Sequence, residues 1–251
     1  MKNKNLLTFF CCLLFAVTAS GQDMPVGNIV QEFNCNLAEG VSMQQALSHA
    51  RSNDIEVGSP AVFFRQPVIG PENFIDNYDF IVALYFPSMA SLNDWQMGER
   101  SETRIEAVER RRSYFNCDGQ TSRVYGVRGI PDTDGNPEPQ TAMTSQFCRR
   151  LPDATLSDVY DRMVGTASSF REAGNNSLMQ LSSPIMHPNQ NAGPERMVRI
   201  TVVAATPESL MERFDLVRNG LRAGNGLDQV YSNCNRQTLW NTFSVVRPNQ
   251  S

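Results

Sequence analysis

The chain has 251 residues, of which 41% are hydrophobic, and it carries a formal net charge of −4. An acidic balance offers no basic surface to a phosphate backbone, so a nucleic-acid partner is not expected. The length is that of one large domain or two small ones.

The N-terminus has the pattern of a secretory signal. Lys2 and Lys4 form a positive start, Leu6–Val17 is almost entirely apolar, and residues 19–21 are small. We therefore expect residues 1–21 to be a signal peptide and the mature protein to be soluble in the periplasm or the extracellular space. No later segment approaches the roughly 20 apolar residues that a membrane-spanning helix needs.

Loss of the signal would also change the chemistry available to the protein, because Lys2 and Lys4 are its only lysines. Removing these two positive charges takes the net charge from −4 to −6. Without lysine, the mature protein cannot form a Schiff base with pyridoxal phosphate or a carbonyl substrate, and it has no P-loop lysine.

Four cysteines follow the signal: Cys35, Cys117, Cys148 and Cys234. An even number in an exported chain predicts two disulfides, and four free thiols are the alternative. Four cysteines allow three pairings.

The mature sequence reads as two copies of one unit. Each copy starts with a strand that carries a cysteine, followed by a helix that opens with a capping-box pair, Ser42 with Gln45 and Thr155 with Asp158. The first copy, residues 22–128, continues with strands at 62–69, 80–86 and 121–128 and a second helix opened by Pro87. The second copy, residues 144–251, continues with strands at 178–186, 198–206 and 238–246 and a second helix opened by Pro207.

Four landmarks keep one order in both copies, namely a cysteine, two prolines and a second cysteine. The gaps between them are 32 and 36, 20 and 23, and 30 and 27 residues in the first and second copies. In the helix after Pro207, apolar residues at helical spacing predict a buried stripe of Leu210, Phe214, Val217 and Leu221.

Residues 129–143 are predicted to be a linker, because proline and glycine are frequent there. Within it, residues 132–138 alternate oxygen-bearing side chains as a calcium loop does, but Gly135 comes too early for an EF-hand. We interpret the segment as a flexible acidic linker, and no metal site is predicted.

The order strand, helix, strand, strand, helix, strand resembles the ferredoxin-like fold. In that topology the first and fourth strands are antiparallel neighbours, which implies the pairs Cys35–Cys117 and Cys148–Cys234. The whole mature chain resembles the dimeric α/β-barrel superfamily in tandem form, and most of all its small secreted members, whose functions are undefined. The resemblance implies an α+β protein in which two ferredoxin-like βαββαβ repeats pack sheet to sheet as a pseudo-dimeric barrel around a central cavity.

The superfamily also implies functions seated in that cavity: cofactor-free or haem-linked oxygenases, haem-degrading enzymes, isomerases and binding modules. Haem ligation in such folds typically needs a histidine, and the chain has two, His49 and His187. His49 flanks the buried stripe of the first helix and His187 lies in an Asn-rich segment, so both are expected on the surface. No cofactor is predicted.

The strand at 198–206 indicates which residues face the cavity. Val198, Ile200 and Val202 suit the helices, so the alternating set with Arg199 should face inward. The candidate ligand-binding residues are Asn34, Asn36, Arg65, Tyr85, Arg199, Thr201 and Trp240. An arginine among aromatic side chains can hold a small acidic or aromatic molecule. The alternative is that Arg199 pairs with an acid at the barrel rim.

The sequence favours a non-catalytic protein that binds a small ligand or a partner. The shortage of histidines and the lack of paired acid and base motifs support this interpretation. The alternative is a cofactor-poor monooxygenase or isomerase acting in the barrel cavity. The sequence motifs of serine hydrolases, zinc proteases and thioredoxins are absent from the chain.

Overall fold

The structure is a computed structural model, and it describes residues 24–52, 60–70, 78–98, 102–130, 141–186, 196–222 and 229–246. The expected signal peptide, residues 132–138 and His187 lie outside these ranges. What the sequence indicates about them stays a prediction.

In the first half of the chain the first helix begins at the predicted capping box, and two helices follow the third strand where the sequence predicted one. Its elements are β1 (Asn28–Leu37), α1 (Met43–Arg51), β2 (Ala61–Ile69), β3 (Phe80–Phe86), α2 (Met89–Met97), α3 (Glu102–Arg111) and β4 (Phe115–Gly129). Ser42 and Gln45 form the predicted capping box of α1. Pro87 does not open the next helix as predicted, because Ser88 is the N-cap of α2 and accepts a hydrogen bond from the Ser91 amide.

The second half follows the same plan with one helix after its third strand. Its elements are β5 (Ala142–Arg150), α4 (Leu156–Glu172), β6 (Leu178–Met186), β7 (Met197–Ala204), α5 (Pro207–Arg218), β8 (Tyr231–Ser232) and β9 (Thr238–Val246). Thr155 and Asp158 form the predicted capping box of α4, and Pro207 occupies the first turn of α5. Among the helices described, none combines the length and apolarity that crossing a membrane requires.

Eight of the strands close into an antiparallel barrel. Around the ring the order is β4-β1-β3-β2-β9-β5-β7-β6, and β6 pairs with β4 to complete it. The sequence predicted two sheets packed face to face. In the structure the β2–β9 and β4–β6 ladders join them edge to edge, because the outer strands of each set are hydrogen-bonded to those of the other.

The helices pack on the outside of the barrel, and side chains along each strand alternate between that outer layer and the interior. In the first half, Ala46 and Leu47 of α1 pack on Phe64 and Phe80. The outer core of the second half includes Val159, Met163, Leu181 and Val198. Strand residues one position away from these core residues therefore point into the barrel.

One end of the barrel can be identified from strand directions. Four antiparallel pairings separate β1 from β5, so these two strands run in the same direction. Their C-terminal ends therefore lie at the same end of the barrel. Asn34 and Phe147, close to those ends, are only half-buried. We call this the β1/β5 end.

The disulfides have the pairing that the ferredoxin-like topology implied. Cys35 is bonded to Cys117 and Cys148 to Cys234, over sequence separations of 82 and 86 residues. Cys35 and Cys117 are directly opposite each other in the β1–β4 ladder. Closing loops of this length stabilises the fold by about 2 to 4 kcal/mol per disulfide.

The predicted buried stripe of α5 is wrong in part. Leu210 is buried, but Phe214 and Val217 are 37% and 52% exposed, and Arg213 is buried instead. Arg213 is buried because its guanidinium stacks on Phe170, at 3.4 Å from the centre of the ring. This contact sets the rotation of the helix.

Candidate functional site

A buried charged group occupies the barrel interior. Glu32 of β1 lies between Arg65 of β2 and Arg199 of β7, which are 33 and 167 positions away along the chain. Arg65 Nη1 is 2.5 Å from Glu32 Oε1, and Arg199 Nη1 is 2.7 Å from Glu32 Oε2. All three side chains are buried. We call this group the Arg–Glu–Arg bridge.

The bridge keeps Glu32 ionised. Burial alone would raise the pKa of its carboxyl, but the charges of Arg199 and Arg65 outweigh burial and lower the pKa from 4.5 to about 2. The Glu32 carboxylate in turn raises the pKa of Arg199 above its usual value, against the opposing effect of burial. A carboxylate with so low a pKa is a poor general base at neutral pH.

Positive charge exceeds negative charge around Glu32. Arg123 of β4, directly opposite Glu32 in the β1–β4 ladder, is a third cation whose charge also lowers the Glu32 pKa. It is half-buried, and its Nη2 donates to Asn34 Oδ1 at 2.5 Å. Among the described residues, Glu32 is the only buried acidic residue and thus faces three arginines.

Tyrosines extend the bridge. Arg65 Nη2 donates to the Tyr85 hydroxyl at 2.5 Å, and the Arg199 guanidinium lies 4.2 Å from the centre of the Tyr125 ring. Burial raises the pKa of Tyr125, and it also raises that of the nearby Tyr78. These two phenols are therefore neutral at physiological pH and can act as hydrogen-bond donors.

Several buried donors beside the bridge have no hydrogen-bond partner among the described residues. They are Arg65 Nε, Arg199 Nε, Ser182 Oγ and Thr242 Oγ1. Thr242 is directly opposite Arg65 on the neighbouring strand, and Ser182 is directly opposite Arg199. Each of these arginines thus has, as its cross-strand neighbour, a residue with an unpartnered hydroxyl, an arrangement that could bind the oxygens of an anion.

An apolar cluster lines another part of the barrel. It consists of the buried residues Tyr78, Ile81, Met143, Val203 and Trp240. The Trp240 indole is anchored by its Nε1, which donates to Ser145 Oγ at 2.9 Å. The interior therefore combines cationic donors in one part with an apolar surface in another.

The structure brings most of the predicted candidates into the barrel. Arg65, Tyr85 and Arg199 contact one another or Glu32, Asn34 contacts Arg123, and Thr201 and Trp240 are buried on the second-half strands. Asn36 is exposed near the end of β1 and does not join them. Arg199 does pair with an acid, but in the buried interior instead of at the rim.

Sequence reasoning missed Glu32, Arg123 and Tyr125. Glu32 could have been found by alternation, because it lies two positions before Asn34 on the same strand and so shares its face. A charged residue on an inward face is a candidate partner for Arg199. Arg123 and Tyr125 share a face of β4 by the same rule.

Haem ligation by His49 is not supported by its position. His49 lies on α1, outside the barrel, and its ring stacks on Tyr114 at 4.1 Å between centroids. It is half-buried, where the sequence predicted exposure, and burial, followed by the charge of Arg110, lowers its pKa. Over the described ranges, no three His, Cys, Asp or Glu side chains are grouped so as to hold a metal ion.

The fold has counterparts among solved structures. A candidate monooxygenase from Lactobacillus acidophilus NCFM superposes with a TM-score of 0.53 at 10% identity, over 86% of this chain and 94% of that one. A variant of the chlorite dismutase from Candidatus Nitrospira defluvii superposes with a TM-score of 0.50 at 8% identity, over 88% and 93%.

These similarities define the class of fold. The chain has the dimeric α/β-barrel fold, with the closed barrel formed within one polypeptide. At such low identity the similarity concerns the fold alone. No protein-family model and no curated protein matches the sequence.

Proposed function

We propose that the protein is a non-catalytic exported module that binds a small organic anion inside the barrel. The observation that carries this proposal is the charge imbalance, in which Arg65, Arg123 and Arg199 surround the carboxylate of Glu32. A buried cation without a counterion is costly, and a ligand carboxylate would supply the missing negative charge.

The surroundings of the bridge favour an apolar or aromatic carboxylate. Guanidinium groups bind planar carboxylates well, and the apolar cluster around Trp240 suits an apolar body. The head group would bind beside the arginines, and the body would contact the apolar cluster that includes Met143 and Trp240.

The alternative is an oxygenase or isomerase that uses the same interior, and similarity to a candidate monooxygenase keeps it under consideration. Two observations favour binding. The Glu32 carboxyl has a pKa of about 2 and the Tyr125 phenol has a raised pKa, so neither is suited to exchange protons near neutral pH. Turnover of a bound carboxylate under oxygen would overturn the non-catalytic part of the proposal.

Export and tandem duplication belong to the same proposal. Two disulfides support an oxidising compartment. The strand order β4-β1-β3-β2 in the first half and β9-β5-β7-β6 in the second supports descent from two copies of one ferredoxin-like unit. Only one copy would then have kept the buried acid, because Ser145 is the counterpart of Glu32 when Cys35 is aligned with Cys148.

Tryptophan fluorescence tests the proposed binding directly. The chain has two tryptophans, and Trp95→Phe leaves Trp240 as the only one. In this background we expect benzoate or phenylacetate to change the Trp240 emission in a saturable way, and the uncharged benzamide to bind more weakly. Arg199→Met should weaken carboxylate binding by about tenfold or more, because it removes a buried charge-assisted donor.

The matched control is Arg218→Met, since Arg218 is exposed and pairs with Asp215 on α5. This variant should bind the carboxylates as the parent does. The proposal fails if neither carboxylate changes the emission, or if Arg199→Met and Arg218→Met have equal affinities.

A further inference from the structure

Helix α5 buries an arginine and exposes the phenylalanine that follows it. Arg213 is 7% exposed and Phe214 is 37% exposed. Leu210 and Phe214 are four positions apart and share one face of the helix, yet Arg213, on the other side of Leu210, is buried in place of Phe214. The contact with Phe170 orients Arg213, but it does not neutralise the charge that the helix buries.

Arg213 has no counterion among the described residues. Its guanidinium stacks on Phe170, and its Nη2 donates to the Met179 sulfur at 3.1 Å, which is a weak acceptor. Its Nη1 is buried and has no partner there. Burial lowers the Arg213 pKa to about 10, in contrast to Arg199, whose pKa is raised by Glu32.

A second unpartnered donor belongs to the segment that contacts α5. Asn175 Nδ2 donates to the Ser209 carbonyl at 2.9 Å, and Met179 contacts Arg213 one helical turn further along α5. Ser177 lies between Asn175 and Met179 in the chain, so its segment follows the two turns of α5 that carry Ser209 and Arg213. Its hydroxyl is buried and has no partner among the described residues.

We propose that Arg213 and Ser177 form a binding site for a small monovalent oxyanion of the carboxylate type, between α4 and α5. Arg213 Nη1 and the Ser177 hydroxyl would donate to the oxyanion, whose charge would balance the guanidinium. A divalent anion is disfavoured, because one cation would leave its second charge uncompensated in a buried site. The site lies on the outer side of the barrel wall and does not depend on the ligand proposed for the interior.

Acetate is a suitable probe, and thermal unfolding of the full mature chain at constant ionic strength, balanced with sodium sulfate, is a suitable readout. At about ten times its dissociation constant, acetate should raise the Tm of the wild type by about 3 to 6 °C. Arg213→Met and Ser177→Ala should lose most of this rise. Arg218→Met, on the exposed side of the same helix, should keep it.

A second expectation separates a ligand site from a structural arginine. Without acetate, Arg213→Met should have a Tm equal to or above that of the wild type, because it replaces an uncompensated buried charge by an apolar side chain. Should this variant fail to fold, the methyl signal of Met179 in 13C-methionine-labelled wild type still reports on the site, and it should shift in a saturable way with acetate.

The proposal is overturned if the four proteins show equal acetate responses, or if the Met179 signal does not respond. It is also overturned if Arg213→Met is less stable than the wild type without acetate and retains the full acetate response. If Arg199→Met loses benzoate binding but keeps its acetate response, the loss concerns the barrel interior alone. The site at Arg213 then remains established.

Discussion

Replacing Glu32 by glutamine tests the Arg–Glu–Arg bridge with little change in volume. The substitution removes the negative charge and leaves Arg65 and Arg199 buried without it. Breaking a buried ion pair by removing one partner costs about 3 to 5 kcal/mol. The lowering of the Glu32 pKa from 4.5 to about 2 has the same sign and corresponds to about 3 kcal/mol. We therefore expect Glu32→Gln to lower the free energy of unfolding by about 3 kcal/mol at pH 7.

The pH dependence of this effect follows from the direction of the shift. The pKa of Glu32 is lower in the folded than in the unfolded state, so its contribution is present above pH 4.5 and is lost as the pH falls toward 2. The stability difference between wild type and Glu32→Gln should therefore be constant from pH 7 to 5. It should then shrink across the acid range.

Urea unfolding with intact disulfides, followed by circular dichroism at several pH values, measures this difference. Glu106→Gln is the control, because Glu106 forms an exposed pair with Arg110 on α3 and its loss should change stability by less than about 1 kcal/mol. A Glu32→Gln effect below about 1 kcal/mol at pH 7, or one that persists unchanged near pH 2, would refute the argument. An interior anion should also partly restore the stability of Glu32→Gln.

Three further predictions concern stability and use the same urea assay. Tyr85→Phe leaves Arg65 Nη2 without its acceptor and should cost about 1 to 3 kcal/mol, and an unchanged midpoint would show that water replaces the hydroxyl. The double variant Cys148→Ser/Cys234→Ser should lose about 2 to 4 kcal/mol, and adding reductant should destabilise it less than the wild type, which still has both disulfides. Thr155→Ala should cost about 1 kcal/mol through loss of the α4 N-cap, whereas Thr155→Ser should be nearly neutral; equal effects of the two would argue against the cap.

Local features of the fold were predictable from the sequence because they depend on residues close together in the chain. The capping boxes at Ser42 and Thr155 each need a partner only three positions away, and both are present. Pro87 misled the prediction because proline also fits the residues just before a helix, and Ser88 is a better N-cap.

Alternation along strands placed Arg65, Tyr85 and Arg199 on the inward face, but it could not identify what they contact. The partner of Arg199 lies 167 positions away, and only the pairing of strands around the closed barrel brings Glu32 to it. The rotation of α5 was also beyond the sequence pattern. Hydrophobic periodicity favours burying Phe214, and a contact between Arg213 and Phe170 overrides it.

The Arg–Glu–Arg bridge and the Arg213 region share a physical property, since each buries positive charge in excess of negative charge. Apolar residues of similar volume would fill the positions of Arg199 and Arg213 at equal or greater stability, since buried charges seldom repay their loss of hydration. Glu32 offsets part of this cost in the interior, but it is shared between arginines, and Arg213 has no such acid among the described residues. Anion binding accounts for both, because an anion supplies negative charge only when it is present and leaves the free protein less stable than its packing would allow.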